Sequence, residues 1–386
     1  MRIGIEGSTW PYPRGIGRYT RELTHALARA GSPHELTLVL YSAADGRADL
    51  PDMAWEVVPA GGVRFDIAAP EERRSLREMA RMGRALSGFD AVLFPTHYAF
   101  VPVSPRVRLG LIVHDAIPET LPQEWLGPRS ARLRWRAKTR LACRQASFFA
   151  TSTIASARAI RERLPVGDRP VVVLGAGAAP IFSPHGLPED AGLVEPWVPA
   201  GRRFVLYVGA IGPHKRVPDL IRAFGSMPAD PDRPYLLVLV GSEQGTALER
   251  ASVEQALEEA GTARSRVVRP GFLPDATLAA FYRRAACVVL PAEIEGFGLP
   301  ALESMASGAP VVAARIPALE EVCAEAAEYF GDPVELPGIL SRMLQDPARR
   351  EALARAGPPR AAFYSWDEAA RRLLAAFDDE SALARP

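Results

Sequence analysis

Asparagine is absent from the 386 residues, and lysine is nearly so: of 46 basic residues only Lys138 and Lys215 are lysines. Both residue types have AT-rich codons, so a GC-rich genome accounts for the bias, and a thermophilic source would add to the asparagine loss. Drift toward arginine has therefore been open to every basic position, and a lysine that survives it has a reason to. Cysteine is scarce too. Cys143, Cys287 and Cys323 lie far apart, the last two in apolar runs that predict burial, and no C-x-x-C or histidine-rich spacing points to a structural metal. No apolar run approaches the ~20 residues that cross a bilayer. A net charge of +1 gives no global field for nucleic acid. The chain opens on R-I-G-I-E-G, which reads as a strand and predicts no signal peptide. Together these absences predict a protein of the reducing cytoplasm, without metal, transmembrane segment or nucleic-acid partner.

The length exceeds what one core usually supports, so two domains are expected. Short apolar strands at 2–6, 36–41, 57–58, 90–94, 109–113, 147–150 and 171–174 alternate with helical stretches such as 71–86. Further strands at 204–208, 236–240, 266–269, 286–290 and 310–314 repeat the pattern. Such alternation predicts an α/β fold with mostly parallel sheets covered on both faces. Between the two series, 175–201 shifts to Pro, Gly and Ala, the natural boundary. The domains are read as 1–176 and 203–364 with a linker at 177–202. A final helix, 365–386, starts from Ser365 or Asp367 as cap.

The most informative stretch is A-C-V-V-L-P-A-E-I-E-G-F-G-L-P-A-L-E-S-M-A-S-G-A-P-V-V-A-A, 286–314. It reads as strand, turn-rich loop, helix, strand. Pro300 fits the first helical position and Gly308 the position past the end. The loop falls beyond the carboxyl end of a strand, where open α/β sheets bind ligands. Gly296 and Gly298 allow close backbone approach, and N–H groups at the helix start hold phosphate or hydroxyl oxygens. Glu295 and Glu303 frame this loop, and a carboxylate accepts hydrogen bonds from vicinal hydroxyls. The ordinary reading of Glu303 is favourable charge in a first helical turn, and of Glu295 a solvated loop residue.

Other loops follow strands in the same way. The first strand feeds G-S-T-W-P-Y-P-R-G-I-G-R-Y-T, with Gly15 and Gly17. The third glycine of a dinucleotide fingerprint is missing and strand 36–41 does not end in an acid, so a nicotinamide cofactor is not expected. His114-Asp115 follows strand 109–113, and Thr96-His97-Tyr98 follows 90–94; alone, these read as loop histidines and a turn cap. Lys215 and Arg216 stand at a helix entrance, where anions bind. The stretch 129–144 carries six arginines and Lys138 among Leu133, Trp135 and Leu141. It fits a helix on an anionic membrane, a possible peripheral association. Its charges fall on nearly all sides, however, and a solvated helix with intramolecular ion pairs is the expected form.

The stretch E-G-F-G-L-P-A-L-E-S-M-A-S-G-A-P-V-V resembles the retaining glycosyltransferases of family 4, whose pattern is E-G-F-G-L-P-x-L-E-A-M-A-x-G-x-P-V-V; Ser304 is the one change at a fixed position. The resemblance covers nearly the whole chain and is strongest from 204 to 330. It implies the GT-B fold: two Rossmann-like domains with parallel sheets facing a central cleft, the last helix crossing back onto the first domain. It implies that Glu295 touches the donor sugar, that Glu303 holds the nucleotide ribose, and that the amides of Phe297, Gly298 and Leu299 line sugar and pyrophosphate. Gly15 and Gly17 would lie over the pyrophosphate, with Arg14 replacing the family's first glycine. His114 would bond a sugar hydroxyl, 272–275 would meet the nucleobase, and His97 and Tyr98 would face the acceptor. Lys215 and Arg216 would stabilise the diphosphate. The family often has an arginine where this chain has Ala210, so either Arg216 substitutes or Lys215 acts alone.

The implied activity is transfer of a mannosyl-, glucosyl- or rhamnosyl-type sugar from a UDP- or GDP-linked donor to a hydroxyl acceptor, a sugar, lipid-linked sugar or natural product. Configuration would be retained, and the nucleotide sugar would be a co-substrate with no cofactor and no metal. Two alternatives share the fold. One is a nucleotide-sugar-binding regulatory protein, against which intact Glu295, Glu303, Lys215 and His114 weigh. The other is a sugar-nucleotide 2-epimerase, against which the E-G-F-G-L-P loop weighs.

Overall fold

The computed structural model describes residues 1–12, 15–41, 49–58, 75–227, 235–241 and 247–379. Arg14 and residues 71–74 of the expected helix 71–86 lie outside these. The chain forms two compact units, Met1–Gly177 with Ser365–Pro386, and Ala178–Tyr364.

Unit 1 is built on seven parallel strands: β1 (Arg2–Glu6), β2 (Glu35–Leu40), β3 (Ala54–Val57), β4 (Ala91–Phe94), β5 (Arg108–Ile112), β6 (Phe148–Thr151) and β7 (Val171–Val173). Their order is β3-β2-β1-β4-β5-β6-β7. Strand β1 pairs with β2 on one side and β4 on the other, so the order reverses there. The loops after β1 and β4 diverge at that point, where an open α/β sheet leaves a crevice. The central strands are apolar throughout because both faces are covered: Ile3, Ile5, Val92, Phe94, Leu109 and Leu111 are all at most 1% exposed. Edge strand β3 is largely exposed, and the strand expected at 57–58 overlaps it only at Val57. The helix expected at 71–86 runs Leu76–Leu86, with Ser75 and Glu78 forming a capping box.

The last helix, Trp366–Asp378, belongs to unit 1 and is capped by Ser365, whose Oγ accepts from the Asp367 N–H at 3.2 Å. Phe377 meets Phe148 edge-on at 4.9 Å. The buried Arg108 guanidinium donates to the Ala376 carbonyl at 3.1 Å, supplying one of the terminal acceptors a helix leaves open. The basic stretch forms the helix Arg129–Gln145. The expected intramolecular ion pairs do not form: among the described residues Arg129, Arg132, Arg134, Arg136, Arg140 and Arg144 make no ion pair or side-chain hydrogen bond. The reason is compositional, since the helix contains no acid at all.

Unit 2 has six parallel strands: β8 (Phe204–Val208), β9 (Leu236–Val240), β10 (Val267–Gly271), β11 (Cys287–Leu290), β12 (Val311–Ala314) and β13 (Ala327–Phe330), in the order β10-β9-β8-β11-β12-β13. Its reversal lies between β8 and β11, which are paired. Alternate residues feed two cores: Val205, Tyr207, Leu237 and Leu239 on one face, Phe204, Leu206, Val208 and Val238 on the other. Residues 178–202, read from the sequence as linker, contribute Phe182, Val194 and Val198 to the second of these. Asp190 there forms a two-pronged pair with Arg283, both bonds 2.6 Å long, which holds the Asp190 carboxyl below its ordinary range. Among the described residues no helix is long and apolar enough to cross a membrane.

Candidate active site

In unit 2 the loops after β8 and β11 leave the sheet at its reversal and are stitched together. The Glu293 N–H donates to the His214 carbonyl at 2.9 Å. The Arg216 guanidinium donates to Glu293 Oε2 through Nη2 at 2.6 Å and Nε at 3.1 Å. Arg216 has φ 49° and ψ 35°, a left-handed conformation in a residue with a Cβ, and it leads into the helix Val217–Ser226. That conformation costs on the order of 1–2 kcal/mol, and strain of this kind gathers where a loop must hold a shape. One position earlier, Lys215 Nζ lies 2.5 Å from Glu295 Oε1, with the side chains 21% and 12% exposed. The two residues singled out on separate loops are therefore one ion pair, at the point where the sheet leaves its crevice. His214 beside them is buried, and burial together with the Lys215 charge pushes its imidazole down to about 3, so it is neutral.

The loop after β11 ends in the helix Leu299–Ala306. The helix opens at Leu299, one residue before the position expected, because Gly298 takes a left-handed turn, φ 84°. That conformation requires glycine, and a Cβ there would stand 2.7 Å from Leu319 Cδ2 and displace that side chain. No side chain caps the helix; Pro300 has no N–H and the Ala301 and Leu302 N–H groups donate to the Gly298 carbonyl at 2.8 and 3.3 Å, so in the first turn it is the Leu299 N–H that is left to a ligand or water. Phe297 turns inward, 6% exposed, edge-on to Tyr364 at 5.3 Å, and this anchors the backbone on either side of it. Ser304 donates Oγ–H to the Pro300 carbonyl at 2.5 Å, a bond within its own helix, so the departure from the family's alanine stays inside the structure.

Glu303 sits in the second turn, not the first as expected, and it is 5% exposed. Favourable charge at the helix end therefore does not account for it. Its Oε2 accepts from the fully buried Tyr282 hydroxyl at 3.0 Å. Tyr282 was not foreseen; its signal was a tyrosine in an otherwise apolar helix face, which needs a partner when buried. Tyr207, also unforeseen, donates to the Ala210 carbonyl at 2.5 Å, fixing the position at which the family's arginine is missing. Burial and the Glu295 carboxylate raise its phenol far above the usual range. A cavity of about 300 Å³ opens at the ends of β8, β9 and β10, lined by Tyr207, Gly209, Gly241, Arg250 and Arg269. Phe272, in the segment expected to meet a base, is 49% exposed.

Unit 1 has a different character. Gly15, φ 56°, precedes the helix Ile16–Arg29, and a Cβ on Gly17 would fall 2.2 Å from the Tyr12 carbonyl oxygen. Both glycines are thus required by the turn itself. His114 follows β5. Its Nε2 lies 2.9 Å from the Pro95 carbonyl, and since a carbonyl only accepts, Nε2 carries the proton and Nδ1 is left as an acceptor. The Tyr19 ring meets it edge-on at 4.7 Å, and the Tyr19 hydroxyl is tied to the Gly175 carbonyl at 3.0 Å. Burial pushes His114 down to about 4 against the opposing pull of the Pro95 bond. Asp115 Oδ1 accepts from the Ile117 N–H at 3.0 Å, a local turn cap.

His97 and Tyr98 are 2% and 7% exposed. They pack with Trp135 at ring distances of 5.3 and 5.2 Å, and Trp125 stacks on Tyr98 at 6.4 Å. Neither ring nitrogen of His97 has a partner among the described residues. Burial, with Lys138 and His114 adding, pushes it down to about 3. Lys138, the other surviving lysine, donates to the Tyr98 carbonyl, and Trp135 Nε1 donates to Glu119 at 2.7 Å.

Comparison with known proteins extends these findings. A family model described as "Glycosyl transferases group 1" matches residues 195–359, and one described as "Glycosyltransferase Family 4" matches residues 13–178. The D-inositol 3-phosphate glycosyltransferase of Corynebacterium urealyticum is 34% identical over 188 residues, 46% of this chain and 43% of that protein. The chain spans about half the length of the curated relatives it matches. Sucrose-phosphate synthase from Thermosynechococcus elongatus has the same fold, with a TM-score of 0.77 and 20% identity over 100% of both chains. Anabaena HepE, solved in complex with UDP and glucose, gives 0.73 and 18% identity over 98% of this chain and 100% of that one. The fold, two parallel α/β sheets of seven and six strands, is that of the GT-B structures.

Proposed function

We propose, from the premise that this chain belongs to the group 1 and family 4 glycosyltransferases, that it transfers a hexosyl group, with retention, from a nucleoside diphosphate sugar to a hydroxyl acceptor. The observation that carries the reading is the Lys215–Glu295 pair at the sheet reversal of unit 2, 2.5 Å apart, beside an uncapped helix in which Glu303 is buried against Tyr282. These groups suit the two halves of such a donor. The ammonium and the Leu299 N–H at the helix start match a diphosphate that gains charge as the bond to the sugar breaks. The carboxylates match the hydroxyls of the sugar and the ribose.

In the ligand-free chain Lys215 and Glu295 neutralise each other. A bound diphosphate offers Lys215 a second anion, and Glu295 is then released toward the sugar hydroxyls. Arg216, held by Glu293, supplies a second positive field without the arginine missing at Ala210. The amides of Phe297, Gly298 and Leu299 would line the diphosphate and sugar. For unit 1, His114 Nδ1 would accept from a donor-sugar hydroxyl, the Gly15–Gly17 turn would meet the diphosphate, and His97 and Tyr98 would shape the acceptor side. Same-face attack fits this set. The departing phosphate takes the acceptor proton, and catalysis rests on position and electrostatics. A thermal-shift screen against UDP-, GDP- and dTDP-sugars tests the reading. A specific donor raises the melting temperature by mass action, whereas a flat response to all of them contradicts it.

A further inference from the structure

We propose that the helix Arg129–Gln145 docks unit 1 on an anionic lipid surface. The helix carries seven basic residues and no acid. Its inward face is set by Thr139, Ala142 and Cys143, all buried, and by Lys138 and Trp135, which are bonded to Tyr98 and Glu119. The outward face is a pattern of two rows. Leu133, Ala137 and Leu141 recur every fourth residue, which places them along one line of a helix; Leu133 is 68% and Leu141 41% exposed. Arg136, Arg140 and Arg144 run beside them at the same spacing, all exposed, and Arg134 flanks the leucines on the other side.

Among the described residues none of these arginines has a partner, although arginine is the residue most readily satisfied by a carboxylate. The acids just upstream do not reach them: Glu119 is held by Trp135, and exposed Glu124 forms no ion pair. A cavity of about 320 Å³ continues the apolar row past Leu141, lined by Val103, Pro105, Val107 and Arg144. An apolar line between unpaired guanidinium groups suits a helix lying in the headgroup plane, with leucines in the acyl boundary and arginines reaching phosphates. A nucleic acid would use the arginines but leave the leucines in water, so the leucine row favours lipid. The proposal is independent of the transferase reading.

Flotation of the full-length protein with phosphatidylglycerol vesicles, against pure phosphatidylcholine vesicles, tests it. The wild type is expected to float with the anionic vesicles only and to be released by high salt. Each arginine near such a surface is worth roughly fivefold in partition, so Arg136→Glu with Arg140→Glu lowers it by at least about 25-fold while the far-ultraviolet spectrum is unchanged. Leu133→Ser with Leu141→Ser lowers it severalfold with all charges kept. Absence of flotation at low salt overturns the proposal, as does wild-type flotation of the arginine variant. Undiminished flotation of the leucine variant overturns it too, because a plain polyanion site would then suffice.

Discussion

The polar groups gathered at the sheet reversal of unit 2 and those around β4 and β5 of unit 1 are held by opposite means. In unit 2 charge is kept and paired: Lys215 with Glu295, Arg216 with Glu293, and Glu303 against a tyrosine hydroxyl. In unit 1 charge is removed: His97 and His114 are pushed down to about 3 and 4 by burial among Tyr19, Tyr98 and Trp135. A paired charge can be exchanged for a ligand's charge, since the partner is released as the ligand binds. A neutral imidazole offers direction without charge, because its remaining nitrogen only accepts. Unit 2 thus offers charge that can be exchanged, and unit 1 offers directed but neutral acceptors.

Breaking this contrast in unit 2 gives the largest expected effect. Lys215→Ala should lower the transfer rate by ~10²–10³-fold, as for other single groups that stabilise developing charge. Lys215→Arg should also lower it clearly, because a planar guanidinium does not reproduce a compact ammonium. Steady-state rates with a folding control decide both. An arginine variant with full activity removes any special need for lysine, and a fully active alanine variant removes Lys215 from the mechanism. Next comes Glu295→Gln, which should reduce kcat by roughly 10–100-fold, the scale of one charge-assisted hydrogen bond, with donor Kd much less changed. A variant whose Kd moves and whose kcat does not would place Glu295 on the nucleotide rather than the sugar.

A pH series sharpens the neutral side. His97 and His114 are buried with values near 3 and 4, against about 6.5 in an unfolded chain. Between those values the unfolded state binds more protons. Stability is therefore full above pH 6.5 and falls as the pH drops toward 3, by at most about 1.4 kcal/mol per pH unit for each histidine. Urea unfolding at pH 7.5 and 5.5 should show the loss, and His97→Gln should reduce it by about 1 kcal/mol. Wild-type stability that does not change over this range rules out neutral burial. The smallest effect is expected from Tyr282→Phe, about 1 kcal/mol weaker nucleotide binding through a less well held Glu303. An unchanged Kd would show that Glu303 needs no support from the tyrosine.

The loop after β11 was legible because its constraints are local. Gly298, Pro300 and the flanking apolar runs dictate strand, left-handed turn and helix from neighbouring residues alone. The helix start was misplaced by one residue and Glu303 by a turn because Leu299 has no sequence mark of a helix start. The partners of the charged groups were not legible. Glu293 and Tyr282 lie 77 and 21 residues from Arg216 and Glu303, and only the fold brings them near. The basic helix was misjudged for a related reason. Composition invites ion pairs, but with no acid on the helix itself only the tertiary structure decides whether one reaches it. Strand β13 went unread because Ala327–Phe330 is short and half-polar, and its burial comes from pairing with β12.

The central claim is that the paired loop of unit 2 holds the nucleotide sugar. Its most direct test is calorimetric titration of the donor identified by thermal shift into the wild type and Glu303→Ala. The account predicts a one-site isotherm for the wild type and a Kd roughly 5–150-fold weaker in the variant, corresponding to ~1–3 kcal/mol for a charge-assisted bond. Equal Kd values in the two proteins, with both folded, would contradict it.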